Sequence, residues 1–315
     1  MKWMAIVNSR SFAETHLDQD RMREALGTFT EEVHFTRYPG HAIELAQKAH
    51  PATYGGIVSV GGDGTVHEIL RHLHLQTQRL LVVAAGTGNS LAQELGISPA
   101  PALGGPDQAD GFFAVDLMHV TCHTADGTRF SVYSASTVAV GYPALATRLA
   151  NRYFKRLKGH CYSVASVLSL FTRAKTAFLV RYDGEEEEEK KVYGIMISNI
   201  RYMGNFLCFP KANPYDGQAD AVELVAPIFS QLLHNLSVVS KRYFYDPSRT
   251  RLARTVHIRL PEPGLLMVDG EVYANVKAVE VEVQPRVLRV KSESLLSILH
   301  QGRKAPPRPA ASHPT

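Results

Sequence analysis

Ile57–Val60 (IVSV), followed by Gly61–Thr65 (GGDGT) and then Val66–Arg71 (VHEILR), is the most informative segment of the chain. An apolar strand breaks into glycines and restarts as a helix, which is typical of a phosphate-binding turn. Three glycines within four residues let backbone amides approach a polyanion, and the helix N-terminus adds partial positive charge. Asp63 lies among those amides, where a carboxylate implies a cation or a proton transfer. The alternative is a tight turn capped by an aspartate, because Asp-Gly is also a common turn pair.

A second element of the same kind follows. Leu80–Ala85 has the pattern of a buried strand, and Gly86–Ser90 (GTGNS) leads into the helical pattern of Leu91–Leu95. Neither turn contains the Gly-Lys-Ser/Thr of the common P-loop or the Gly-x-Gly-x-x-Gly of a dinucleotide site. Two such turns favour a phosphate site of a different type.

The composition favours a cytoplasmic enzyme of two domains. With 315 residues and 45% apolar content, the chain can build two cores. A net charge of +4, without interleaved aromatic and basic residues, is not a nucleic-acid signature. The three scattered cysteines (Cys122, Cys161 and Cys208) argue against a disulfide framework or a zinc cluster. No signal sequence or apolar run long enough for a transmembrane segment is apparent.

Strand and helix patterns alternate in the first third of the chain, which predicts a doubly wound, mostly parallel α/β sheet. The predicted elements are strands at Met4–Val7, Val33–Thr36, Ile57–Val60 and Leu81–Ala84, and helices at Asp20–Thr28, Ala42–Ala49 and Val66–Leu73. Residues 1–117 are therefore expected to form a nucleotide-binding domain, to which residues 288–300 return as strand and helix. The Pro- and Gly-rich Pro99–Gly111 is predicted to be a surface loop.

Beyond residue 117 the pattern changes to period-two strands, which predicts an antiparallel β-sandwich for residues 118–287. The predicted strands are Arg129–Ser134, Phe178–Tyr182, Val192–Ser198, Ala221–Val225, Thr255–Leu260, Leu265–Val268 and Ala278–Val283. One helical interruption spans Ala144–Thr172. Asp183–Lys191, which carries Glu185–Glu189, is predicted to be a solvated hairpin tip, with a calcium site as the less favoured alternative. The tail, residues 301–315, is expected to be disordered.

The acidic turn Asn213–Asp220 (NPYDGQAD) offers hard oxygen donors at Asp216 and Asp220, which suits Mg²⁺ better than a soft metal. From spacing alone, a plain loop is the favoured interpretation.

These motifs together resemble the catalytic domain shared by diacylglycerol kinases, sphingosine kinases, ceramide kinases and soluble bacterial lipid kinases. The likeness rests first on Gly61–Thr65 with Glu68, and on Gly86-Thr87 with Asn89. It continues in order to about residue 300 through Thr36 with Gly40–Ala42 and Glu44–Ala46, Asp116-Leu117, Lys155–Gly159 with Tyr162, Pro210 and Ala212 with Asp216-Gly217 and Asp220, and Asp269–Glu271.

The resemblance implies an ATP- and Mg²⁺-dependent lipid kinase with its active site in the cleft between the domains. It assigns phosphate contacts to Gly61, Gly62, Gly64, Thr65, Gly86 and Thr87, the nucleotide site also to Asn8, Asp63, Glu68, Asn89 and Glu271, charge clamps to Arg156 and Lys158, and metal binding to Asp216 and Asp220. Asp63 and Asp269 both resemble the base that accepts the hydroxyl proton. Asp269 is favoured, because Asp63 lies among phosphate-facing amides and suits the magnesium-water network.

Departures from the family leave alternatives open. Asn8–Phe12 (NSRSF) replaces the usual Asn-Pro loop, Ser90 replaces an aspartate found in many relatives, and Pro143 replaces the aspartate of Gly-Phe-Asp-Ala. The altered loop and Pro143 leave a non-catalytic lipid- or nucleotide-binding regulator as one alternative. A kinase acting on NAD, which would share the Gly-Gly-Asp-Gly turn, is the other. As a lipid kinase, the protein is expected to work in the cytoplasm, peripherally associated with a membrane, and homodimerisation is left open.

Overall fold

The computed structural model describes residues 2–13, 18–86, 88–97, 111–154, 175–204, 206–225 and 250–294. Three predicted site residues, Thr87, Arg156 and Lys158, lie outside this set, as do residues 99–110 of the predicted loop, residues 155–172 of the helical interruption, residues 295–300 and the tail.

The first domain has the predicted alternation of strand and helix. Its elements are β1 (Lys2–Val7), α1 (Ser9–Ala13), α2 (Gln19–Gly27), β2 (Glu32–Phe35), α3 (His41–Lys48), β3 (Tyr54–Gly61), α4 (Asp63–Leu70), β4 (Arg79–Ala84) and α5 (Ser90–Ala92). A π-helical turn, Gln93–Ile97, continues α5. The predicted segments agree with these elements to within three residues at each end, and α1 was not predicted.

Period-two alternation explains why helices cover both faces of this sheet. Met4 and Ile6 of β1 pack with the apolar faces of α3 and α4. The intervening Ala5 and Val7 pack on the opposite face, against α2. The sheet is therefore doubly wound, as the sequence predicts.

The order of the strands places a crevice at one edge of the sheet. β4, β3, β1 and β2 lie side by side and run parallel, so that β1 is flanked by β3 and β2. The chain order reverses between β1 and β3, and ligands of doubly wound sheets bind at the carboxyl ends of strands at such a switch point. Asn8 follows β1 there, and Gly62 follows β3.

The second domain consists mainly of antiparallel strands. Its elements are β5 (Phe113–Thr124), β6 (Arg129–Ser134), β7 (Thr137–Gly141), α6 (Tyr142–Leu149), β8 (Thr176–Tyr182), β9 (Glu188–Val192), β10 (Gly194–Ser198), β11 (Tyr202–Met203), β12 (Phe206–Leu207), β13 (Ala219–Leu224), β14 (Thr250–Ala253), β15 (Thr255–Val268) and β16 (Glu271–Ser294). A π-helical turn, Ala150–Phe154, extends α6.

Several predicted strands differ from those observed. The two predicted strands within Thr255–Val268 form the single strand β15, whose pairing with β16 is irregular between Arg259 and Gly264. The predicted strand Ala278–Val283 is the middle of β16, which is 24 residues long. Val192–Ser198 is divided between β9 and β10, and β7 was missed because its short sequence, TVAVG, does not alternate between apolar and polar residues.

The long strand β16 joins the two domains. It pairs with β15 and β5 in the sandwich, and its last residues, Val290–Ser294, pair in parallel with β4. At the far side of the sandwich, the β8–β9 hairpin carries the acidic run, where Glu185 and Glu187 form ion pairs with Arg251 and Arg259. Among the described residues, no helix has the length and apolar character needed to cross a membrane.

Candidate active site

Asn8 connects the ends of β1 and β3. Its backbone N–H donates to the carbonyl of Val60 (2.8 Å), and its Nδ2 donates to Oγ1 of Thr65 (2.9 Å). Its Oδ1 accepts the backbone N–H groups of Arg10 (3.1 Å) and Ser11 (3.4 Å), which starts α1. The segment that departs from the family's Asn-Pro loop is thus a short helix anchored by Asn8.

The two glycine turns lie in direct contact. A Cβ atom on Gly86 would lie 2.3 Å from Cα of Gly62, and one on Gly62 would lie 3.0 Å from Cα of Gly86. A Cβ on Gly61 would lie 2.4 Å from Oγ1 of Thr65. A side chain at Gly61 or Gly86 would therefore overlap neighbouring atoms, which for Gly86 belong to the backbone, whereas one at Gly62 would make a tight contact with Gly86.

Several residues that are predicted to contact phosphate form hydrogen bonds within the glycine turns. Gly86 donates its N–H to Oδ1 of Asn89 (3.0 Å) and accepts from Nδ2 of Asn89 (2.6 Å). Thr65 donates its N–H to the carbonyl of Gly62 (3.0 Å). Gly62 precedes α4, so the N–H groups of Asp63 and Gly64 have no intrahelical partner.

Asp63 is half-buried at the N-terminus of α4. Its Oδ2 accepts a hydrogen bond from Oγ of Ser90 (2.8 Å). Burial raises the pKa of Asp63, and the charge of Asp269 adds to the rise, whereas the hydroxyl and backbone N–H of Ser90 oppose it. Ser90 thus fills the position of the aspartate that many relatives have and supplies a donor there.

Ser90 and its neighbours also connect the two domains. Gly204, in the loop between β11 and β12, donates its N–H to Oγ of Ser90 (2.8 Å), and its carbonyl accepts from Nε2 of Gln93 (3.3 Å). Close by, the buried carboxylate of Glu94 accepts the backbone N–H (2.9 Å) and Nε (2.9 Å) of Arg201. These hydrogen bonds thus join the first domain to the sandwich in the immediate neighbourhood of Asp63.

Asp269 lies in the turn between β15 and β16 with a left-handed φ of 49°. Its carboxylate accepts five hydrogen bonds of 2.7–3.0 Å, from the hydroxyls of Ser134 and Ser136 and the backbone N–H groups of Ala135, Ser136 and Thr137. Burial alone would raise the pKa of Asp269, but nearby His67 and these hydroxyls outweigh it and lower the pKa. The side chain is therefore held ionised although it is only 4% exposed.

Two further carboxylates surround the first glycine turn. Glu68 accepts the N–H of Gly40 (3.2 Å), and burial raises its pKa, to which the charge of Glu271 contributes. Oε1 of Glu271 lies 3.9 Å from the position that a Cβ on Gly64 would occupy. The four carboxylates are thus coupled in pairs, because the charge of Asp269 raises the pKa of Asp63 and the charge of Glu271 raises that of Glu68.

The acidic turn presents a second carboxylate pair. Asp220, on β13, is 2% exposed and its Oδ1 has no hydrogen-bond partner among the described residues, while Asp216 accepts the N–H of Gln218 (3.0 Å). Burial, with the adjacent charge of Asp216, raises the pKa of Asp220 to about 6. No group of three or more His, Cys, Asp or Glu side chains suited to a metal occurs in the described part of the chain. The unpartnered oxygen fits a hard cation that takes its other ligands from backbone carbonyls and water.

A cationic cavity of about 570 Å³ runs along β2 between α2 and α3. Ser9 and Thr36, which are hydrogen-bonded to each other at the ends of β1 and β2, line part of it. Among the described residues, its lining includes Arg23, Arg37 and Lys48 and no carboxylate. The cavity lies next to the crevice, and its positive charge suits an anionic ligand.

Sequence reasoning missed the surroundings of Asp269. The run Ser134–Thr137 (SAST) supplies all five donors, and its one signal is three hydroxyl residues between two apolar strands. His67 and the pair of Glu94 and Arg201 gave no signal, because each is a polar residue inside an otherwise ordinary helical or loop pattern.

Two family models match the chain. "Diacylglycerol kinase catalytic domain" matches residues 2–109, and "YegS C-terminal NAD kinase beta sandwich-like domain" matches residues 136–292. Together they span both domains of the structure.

Individual relatives agree with these models. A protein of Mycobacterium tuberculosis named "Diacylglycerol kinase" is 26% identical over 239 residues, which cover 74% of this chain and 75% of the relative. A Pseudomonas fluorescens protein, "Probable lipid kinase YegS-like", is 26% identical over 280 residues, which cover 85% of this chain and 87% of the relative. The crystal structure of a Bacillus anthracis diacylglycerol kinase superposes with a TM-score of 0.61 at 17% identity, over 92% of this chain and 96% of that one. This last similarity shows that the fold is shared.

Proposed function

The chain belongs to the diacylglycerol kinase catalytic-domain family, and from this premise we propose that it transfers the γ-phosphate of ATP to the hydroxyl of a lipid. The proposal rests on one observation. The glycine turn at the switch point of the sheet lies near a buried carboxylate, that of Asp269, which is held ionised. A kinase needs a phosphate cradle and a proton acceptor on facing sides of the reacting atoms.

The cradle is assigned to the N-terminus of α4. The N–H groups of Asp63 and Gly64 point along the helix axis toward the crevice and are available to phosphate oxygens. Gly61 and Gly62 admit the polyanion because they lack side chains, while Thr65 and Asn89 shape the turns through the bonds described above. The nucleoside is assigned to the carboxyl ends of β1 and β2, near the mouth of the cationic cavity.

Asp269 is assigned as the acceptor of the hydroxyl proton. Its Oδ2 accepts one backbone hydrogen bond, from Ala135, and therefore keeps a lone pair for a substrate hydroxyl. In phosphoryl transfer with a loose transition state, positioning and electrostatics dominate, so an ionised and fixed carboxylate serves even with a lowered pKa. Asp63 is the alternative base, because its raised pKa favours proton uptake.

Magnesium is assigned to two places in this chain. Asp216 and Asp220 would hold a structural ion, and Asp63 would act on the ion that accompanies ATP. When bound, Mg²⁺ neutralises the charge that develops on the phosphates. The protein's own residues orient the nucleotide and accept the proton of the lipid hydroxyl.

An apolar cluster beside Asp269 suits the acyl part of a lipid acceptor. Met196, Phe209 and Met267 pack together there, and Met267 lies two residues before Asp269, near the end of β15. Asn151, in the extension of α6, donates to the carbonyl of Gly270 (2.9 Å) and so ties this helix to the Asp269 turn. Methionine side chains adapt to flexible apolar ligands. A lipid acceptor would meet the protein at a membrane surface.

The experiment is transfer of radiolabelled γ-phosphate from MgATP to lipids in mixed micelles. The panel contains diacylglycerol, monoacylglycerol, sphingosine, ceramide and phosphatidylglycerol, with NAD as a soluble acceptor. The variants are Asp269→Asn and Asp63→Asn, with Asp20→Asn at an exposed position of α2 as the matched control. We expect one labelled lipid, full activity in the control, and loss of the label in Asp269→Asn. Labelled NAD alone, or nucleotide binding without any labelled product, would contradict the proposal.

A further inference from the structure

His67 is a buried histidine at the contact between α4 and the Asp269 turn. The residue is 1% exposed. Its Nδ1 lies 3.6 Å from Oδ2 of Asp269, and its Nε2 lies 3.1 Å from the hydroxyl oxygen of Tyr273 on β16. Nδ1 has no partner within hydrogen-bond distance in the described part of the chain. A buried ring nitrogen that faces a carboxylate without bonding it in the resting structure is rare and calls for an explanation.

Hydrogen-bonding capacity indicates the roles of the two ring nitrogens. An ionised carboxylate can only accept, so a hydrogen bond from His67 to Asp269 requires a hydrogen on Nδ1. In the neutral tautomer with hydrogen on Nδ1, Nε2 is bare and can accept from the hydroxyl of Tyr273. The contact with Tyr273 is therefore compatible with the tautomer in which His67 presents Nδ1–H to Asp269.

We propose that His67 is a positioning residue for Asp269, whose Oδ2 it orients toward the acceptor hydroxyl through Nδ1–H, with Tyr273 holding the ring in the required tautomer. The inference rests on the proposed function in one respect, the role of Asp269 as proton acceptor. The separation of 3.6 Å closes to a hydrogen bond in the reacting complex, because catalytic hydrogen bonds are often long before substrate binds.

The location of His67 gives this contact a second consequence. His67 stands one helical turn after Asp63, on the helix whose N-terminus faces the phosphates, whereas Asp269 and Tyr273 belong to the sandwich. The contact therefore sets the placement of the proton acceptor relative to the phosphate cradle. The other ionisable groups near this contact are Asp63, Glu68, Arg71, Cys122 and Glu271.

Two isosteric variants separate the two ring nitrogens. In His67→Asn the side-chain amide nitrogen takes the place of Nδ1 and keeps a donor for Asp269. In His67→Gln the amide takes the place of Nε2, and the donor for Asp269 is lost. Tyr273→Phe removes only the hydroxyl that sets the tautomer, and His74→Gln, at an exposed position after α4, is the matched control.

The kinetic test measures kcat and KM for MgATP and the acceptor lipid as a function of pH. We expect His67→Gln to lower kcat at least about tenfold with KM for MgATP unchanged, and His67→Asn to recover most of the loss. The acidic limb of the kcat/KM profile should move to higher pH in His67→Gln, because Asp269 loses a group that lowers its pKa. Equal kcat and the same pH profile in both variants would overturn the inference, since a purely structural role would not distinguish them.

A second measurement does not depend on turnover. The ring ¹⁵N resonances of His67, assigned by their loss in His67→Asn, report directly whether Nδ1 carries hydrogen. We expect Nδ1 to be protonated in the wild type and its resonance to shift in Asp269→Asn and in Tyr273→Phe. A bare Nδ1 would refute the inference while leaving the kinase proposal intact. A protonated, Asp269-sensitive Nδ1 in a protein that labels no lipid would place the failure in the proposed function instead.

Discussion

Substituting Gly86 with alanine is expected to push the two glycine turns apart and to destroy the phosphate site. The new Cβ would lie 2.3 Å from Cα and 2.7 Å from N of Gly62. Non-bonded carbon atoms ordinarily approach to about 3.5–4.0 Å, so the backbone must move by more than about 1 Å. No side-chain rotation can relieve the overlap, because the atoms in the way belong to the main chain.

The cost follows from this geometry. Overpacking a tight site costs about 1–3 kcal/mol of unfolding free energy, and we expect the upper end of that range because backbone must yield. The functional cost should be larger, since a displacement of about 1 Å between a substrate and its catalytic groups can lower the rate by about a hundredfold. Gly62→Ala, with 3.0 Å to Cα of Gly86, should show smaller effects of the same kind.

The assays are urea unfolding at pH 7, calorimetric titration with MgATP, and the lipid phosphorylation described above. Gly27→Ala is the matched control, because a Cβ on Gly27 would meet nothing within 4 Å at the last residue of α2. It should match the wild type in activity and be stabilised by up to about 1 kcal/mol, as alanine is favoured over glycine in helices. Wild-type stability and MgATP affinity in Gly86→Ala would refute the close contact of the turns.

Three further predictions concern the polar groups around the site. Ser90→Ala removes the hydroxyl that donates to Asp63, so the pKa of Asp63 should rise further and the acidic limb of the activity profile should move to higher pH. Asp220→Asn removes a carboxyl whose folded-state pKa is raised to about 6. Without magnesium, raising the pH from 4 to 7 should therefore lower the unfolding free energy of the wild type by up to about 3 kcal/mol in urea unfolding, because the buried carboxyl must then ionise. The variant should not show this loss. Added magnesium should stabilise only the wild type. Glu94→Gln leaves the buried Arg201 without its counter-charge, and urea unfolding at pH 7 should show a loss of about 3–5 kcal/mol. The matched control is Glu293→Gln, which removes the partner of the partly exposed Lys291 and should cost less than about 1 kcal/mol; equal losses in the two variants would contradict the buried pairing.

The sequence predicted the first domain well because its signals are local. Strand and helix periods, glycine breaks and the length of each segment act within a few residues, so β1 to β4 and α2 to α4 lie where the pattern placed them. The pattern predicted the sandwich less accurately. β15 carries Pro261 and Pro263 in its interior, which favoured two short strands, yet pairing with β16 on both sides of the irregularity keeps it one strand.

The sequence predicted which residues belong to the candidate site, but it did not predict the environment of each residue. Asp63 and Asp269 were both identified as acidic residues of the site, but their opposite pKa shifts depend on which groups face them. The donors of Asp269 come from residues more than 130 positions earlier in the chain. No local pattern specifies a contact over that separation, because it forms only when β7 and β15 pair.

The alternation of strand and helix, the two glycine turns and their acidic residues can be read from the sequence, since they follow from local backbone preference and side-chain chemistry. Three contacts cannot: that between Gly62 and Gly86, the connection from Asp63 through Ser90 to the sandwich, and the approach of His67 to Asp269. Burial, hydrogen bonding and charge at each of these residues are set by partners distant in the chain, which come together only when both domains have packed.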